Sequence, residues 1–230
     1  MKKLIWIGVA VSAMFVMACG GSKREVNLAD LAGIDPVVLE ALKDEEHAIS
    51  TARIELAAAR EAETRSKAAL KAVETELGAE TADRKAAEAE LKAAKKNEDS
   101  ARIEQASALL EQTEADLDAD RRLLRWKKQV VDAAGARSKA AAALVELRRA
   151  ELQAARARLV AQSGSGMEEK YDIAKFEASV QSLRNDYDRA RARMQDEQAR
   201  AENLRRSWRA VATPTDVNRF DTTPQPAATR

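Results

Sequence analysis

Between Pro36 and Ala161 no further proline occurs, and across that stretch apolar side chains return every seven residues. A seven-residue repeat puts its apolar members on one stripe of a helix, so the chain must fold by laying long helices side by side. Leu42, Ile49, Leu56, Leu70, Leu77 and Leu91 share one register, broken by Glu63 and Arg84. Ala52, Ala59, Val73, Ala87 and Ala94 lie three positions later and make a large/small seam that allows close helix approach. Charged lapses at Glu45, Glu63, Glu80 and Arg84 weaken that seam. A second register runs through Ile103, Leu110, Leu117, Leu124, Val131, Ser138, Val145, Leu152 and Leu159. It begins 12 residues after Leu91, which rotates the stripe by about a third of a turn. The change falls in the polar stretch 95–100, where a bend, a hairpin turn or a register shift within one helix all satisfy the pattern.

A firmer break follows. Gln162-Ser163-Gly164-Ser165-Gly166 ends a helix and lets the chain reverse. The residues after it, 167–211, carry the most regular heptads of the chain. Ile173, Val180, Tyr187, Met194, Ala201 and Trp208 form one set. Phe176, Leu183, Ala190, Leu204 and Val211 form the other, with Glu197 the exception. Antiparallel packing across the turn pairs Leu159 with Ile173, Leu152 with Val180, Val145 with Tyr187, Ser138 with Met194, Val131 with Ala201 and Leu124 with Trp208. Residues 212–230 hold three prolines and little that packs, which predicts a disordered tail. The expected fold class is therefore all-α. Long antiparallel coiled-coil helices form a hairpin, or a three-helix bundle if the chain turns near Asn97.

Composition agrees with a seam in place of a thick core, since 33% of residues are charged and 3% aromatic. Charge is unevenly placed. Residues 19–118 carry 14 basic and 23 acidic side chains, and residues 119–230 carry 23 and 15. Acidic and basic stretches of a folded-back chain would then lie against each other; the alternative is a basic half facing an anionic cell-wall or lipid partner.

The N-terminus carries the clearest address. Lys2 and Lys3 precede the apolar run from Leu4 to Val16, which is too short to span a bilayer at about 20 residues. Val16-Met17-Ala18-Cys19 closes it and resembles the lipobox of bacterial lipoproteins, with Met17 a less usual occupant of its position. That resemblance implies a signal peptide over 1–18 and S-diacylglycerol and N-acyl (palmitate-class) lipid on Cys19; residues 19–34, polar, glycine-containing and without strong periodicity, read as a flexible tether. Gly20 stands where an inner-membrane retention signal would carry Asp, which implies the outer membrane, facing the periplasm. Cys19 is the sole cysteine, so no intramolecular disulfide can form.

Chemistry-bearing constellations are scarce. His47 stands alone among Asp44, Glu45 and Glu46, without a second His or Cys to complete a zinc site, and no glycine-rich phosphate loop or nucleophile elbow occurs. Neither enzyme activity, a metal nor a cofactor is expected beyond the covalent lipid, and nucleic acid or a small-molecule substrate is not an expected ligand. One feature rises above background. Arg121, Arg122, Arg125, Trp126, Lys127 and Lys128 form a basic run with an aromatic, and Arg205, Arg206, Trp208 and Arg209 form another. The hairpin pairing merges them at its open end, either as a seam cap or as a binding patch for an envelope protein or anionic partner.

The expected function is a lipid-anchored envelope spacer, tether or scaffold, with self-association possible. In layout the chain is similar to helical periplasmic lipoproteins such as the murein lipoprotein, but it ends Ala228-Thr229-Arg230 without the lysine used for wall attachment. An adaptor or chaperone-like holdase using the Trp/Arg patch is the alternative.

Overall fold

A computed structural model describes residues 25–163 and 171–221 of the chain. All regular structure among them is helical: α1 (Leu28–Leu31), α2 (Pro36–Leu39) with a 3-10 turn at Glu40–Leu42, α3 (Lys43–Lys96), α4 (Ser100–Gln162), α5 (Ile173–Arg209) and α6 (Pro214–Phe220). The three long helices have 54, 63 and 37 residues, or about 80, 95 and 55 Å at 1.5 Å per residue.

The polar stretch near Asn97 is a reversal. α3 stops at Lys96, Glu98 takes a left-handed backbone with φ 54°, and Asp99 caps α4 by accepting the Arg102 N–H at 3.1 Å. α3 and α4 then run antiparallel, as the ion pairs Arg84–Glu114 at 3.3 Å and Arg156–Glu46 at 3.2 Å record. A left-handed backbone strains any L-residue other than glycine by about 1–2 kcal/mol. Because Glu98 is exposed, Glu98→Gly is expected to raise stability by about 0.5–1 kcal/mol, read as a higher urea midpoint at unchanged slope.

The small half of the α3 seam carries the close contact. Ala52, Ala59, Val73, Ala87 and Ala94 are buried, whereas Leu56, Leu70, Leu77 and Leu91 flank them half-exposed. α4 is the shared helix, packing on α3 along one side and on α5 along another. It needs two stripes to do so. Ser138, Val145 and Leu152 of the expected register are buried, and so is a second heptad set, Trp126, Ala133, Ala140, Leu147 and Ala154. α5 lies antiparallel on α4, held also by Arg158–Glu177 at 2.8 Å and Arg184–Glu151 at 2.9 Å. The pairing at the open end is corrected by two residues. Trp208 stacks on Trp126, and Leu124 sits at the margin of the same cluster.

Charge complementarity holds in part. Arg156–Glu46 and Arg219–Glu76 join the acidic and basic halves, while Arg84–Glu114 lies within the acidic half and the α4–α5 pairs within the basic one.

Three expected boundaries move. Within the expected tether, Val26, Leu31 and Ile34 are buried with Leu42, Ile49, Leu152, Val160 and Tyr171, so from Val26 onward the segment is docked on the bundle through these side chains. The backbone N–H of Val26 donates to Gln153 Oε1 at 3.0 Å, that of Asn27 donates to the Tyr171 hydroxyl at 3.2 Å, and this hydroxyl donates to Asp30. α5 begins at Ile173, capped by Asp172, later than expected at 167. Residues 214–220 of the expected disordered tail form α6, started by a Thr213/Asp216 capping box with Pro214 in its first turn. Cys19, Gly164–Gly166 and residues 222–230 lie outside the described residues.

Candidate functional site: the Trp126–Trp208 junction

Near the end of α5 the chain crosses back over the bundle, and α6 touches all three long helices. Trp126 of α4 and Trp208 of α5 stack with ring centroids 4.9 Å apart and planes 21° from parallel. Stacked aromatics of this kind hold together beyond their buried area by about 0.5–1.5 kcal/mol. Val73 and Leu123 complete a buried cluster, and Leu204, Val217 and Phe220 close over it.

Polar contacts fasten α6 at its C-terminal end. Lys127 Nζ donates to the Phe220 carbonyl at 2.7 Å while lying 4.1 Å from the Trp126 ring centre. Burial, with the neighbouring Arg205 charge, pushes the Lys127 ammonium down to about 8. Asp221 accepts from Arg205 Nε at 2.7 Å and pairs with Arg209, and Arg219 pairs with Glu76 of α3. At its other end α6 meets like charge. Asp216 stands among Glu76 and Glu80 of α3 and Asp116 and Asp120 of α4. Burial, then the charges of Glu80, Glu76, Asp216 and Asp116, push the Asp120 carboxyl up to about 6. Glu80 is raised by burial first and Asp116 next.

The sequence-predicted patch is thus split. Trp126 and Trp208 are interior, at 3% and 1% exposure. Arg205 and Arg209 are engaged by Asp221, Arg122 pairs with Asp118 at 2.9 Å, and Arg206 accepts no such clamp but donates to Asn203 one turn back. Arg121, Arg125 and Lys128 are exposed on α4. Sequence reasoning missed Asp120, Val217, Phe220 and Asp221; the capping box at Thr213–Asp216 was the signal that could have found α6. His47 is exposed on α3. Among the described residues no group of three or more His, Cys, Asp or Glu side chains is arranged to hold a metal ion, and no helix is long and apolar enough to cross a membrane.

The fold defines a class: an elongated antiparallel helical rod whose middle helix is shared by two neighbours. No family model, curated protein or solved structure matches this chain.

Proposed function

We propose that the chain is a lipid-anchored envelope spacer, tethered through Cys19 and extending its Asn97–Asp99 reversal away from the bilayer. One observation carries this reading. Val26 is fastened to Gln153 near the C-terminal end of α4, whereas the reversal lies at the N-terminal end of the same helix. A lipid on Cys19 would therefore hold one end of the rod and leave the other free, about 80 Å away along α4. Two or three acyl chains suit a permanent hold, since each buried methylene contributes about 0.8 kcal/mol. The Trp/Arg junction supports an internal clasp better than a docking patch, because its two tryptophans are interior.

Palmitate labelling of cells producing the full chain tests the reading. The mature protein is expected to carry label and a mass showing acylated Cys19, and Cys19→Ser is expected to abolish the label and release protein from the membrane fraction. Unlabelled wild-type protein overturns it.

A further inference from the structure

The described residues leave six large apolar side chains exposed, and three of them fall within eleven residues at one end of the rod. Leu28 is 67% exposed, Val37 80% and Val38 43%. They belong to α1 and α2, the pair of single-turn helices that caps the end where Val26 is fastened. Beside them a cleft of about 440 Å³ is lined by apolar Leu28, Leu31, Pro36 and Leu39 and by charged side chains that include Glu40 and Arg156. Leu31, Ile34 and Leu42 from the same segment turn inward and fill the core. The cap therefore has an inner apolar face with a partner and an outer one without.

We propose that this outer face rests on the lipid bilayer, with Leu28, Val37 and Val38 entering the headgroup–acyl boundary. The inference rests on the lipid-anchored reading above. Cys19 stands seven residues before Val26, which at full extension is at most about 25 Å of chain. A lipid on that cysteine keeps the cap within reach of the surface, and apolar side chains on short helical segments settle about 5–10 Å into such a boundary.

Charge beside this face is negative and held in fixed positions. Asp30 receives the Tyr171 hydroxyl, Asp35 accepts the Val37 N–H at 2.8 Å, and Glu40 is paired with Lys43. Only Glu40 has a cationic partner; Asp30 and Asp35 are hydrogen-bonded to neutral donors and keep their negative charge. That arrangement fits a largely zwitterionic surface better than a strongly anionic one.

The test uses full-length protein made in a bacterium, purified in its mature form and reconstituted into phosphatidylethanolamine/phosphatidylglycerol vesicles with brominated upper acyl chains. Val37→Trp and Leu109→Trp are compared; both sites are exposed, and Leu109 lies towards the reversal. The added fluorescence of Val37→Trp is expected to fall at least about twofold, as for a ring at the acyl boundary, and that of Leu109→Trp to stay unchanged. Equal quenching at both sites, in protein whose mass shows the lipid on Cys19, overturns the surface contact and leaves the anchored reading standing. Protein without that lipid overturns both.

Discussion

Trp208→Ala is expected to lower the stability of the bundle by about 3–5 kcal/mol, the range for emptying a large aromatic site. Trp208 is 1% exposed and shares its cluster with Val73 of α3, Leu123 and Trp126 of α4, and Val217 and Phe220 of α6. Removing the ring leaves a void that four helices line, and the surrounding structure relaxes into such a void only in part. α6 loses its seat as well. Equilibrium urea unfolding followed by far-ultraviolet dichroism checks the stability loss, and hydrogen exchange is expected to show the α6 amides unprotected. Trp208→Phe keeps part of the stack and should restore more than half of the loss. A midpoint unchanged by Trp208→Ala would mean that the α4–α5 seam is held elsewhere.

Acidity is expected to tighten the same junction. The Asp120 carboxyl titrates near 6, above its ordinary 3.8, because burial and four neighbouring carboxylates disfavour its charge. A raised carboxyl favours the folded state where it is protonated, so its contribution is fully present below about pH 4 and is lost as pH rises through about 6. The side chain remains partly exposed to water, and screening reduces the full linkage value to about 1–2 kcal/mol. Asp120→Asn removes the charge at nearly constant shape. The variant is expected to exceed wild type in urea midpoint at pH 7.5, to match it near pH 4, and to show a flatter profile between. Equal midpoints for the two proteins at pH 7.5 would count against the like-charge crowding of Glu76, Glu80, Asp116, Asp120 and Asp216.

Long helices with a seven-residue seam were legible because each repeat restates the same geometry many times over. The alanine positions of the α3 seam were legible for the same reason, through their fixed offset from the leucines. The second stripe of α4 was not. Ala133, Ala140 and Ala154 are three of its five members, and alanine in an alanine-rich helix gives no contrast between a buried position and a solvated one. Without that stripe the sequence pairs Trp208 with Leu124; with it, Trp126 is the partner. The reversal at Glu98 was one of three readings the polar stretch allowed, and nothing singled it out, because the left-handed position is filled by a residue with no preference for it. α6 went unrecognised because the prolines around it outweighed one capping box. The junction itself had an intermediate legibility. Its tryptophans and arginines stood out in the chain, but their internal role depends on Phe220 and Asp221, which only the folded path brings back to them.

The single path of α3 from the fastened N-terminal segment to the reversal has a mechanical consequence. A pull between the two ends of the rod runs lengthwise down α3, parallel to its own backbone hydrogen bonds, which are the bonds most easily drawn apart one after another. α4 lies beside it for nearly the whole distance, joined through the alanine stripe and the Glu46 and Arg84 ion pairs. Sliding one helix past the other must break those contacts together. Side-by-side alanines thus turn a helix that would stretch by unwinding into a strut that resists extension in shear.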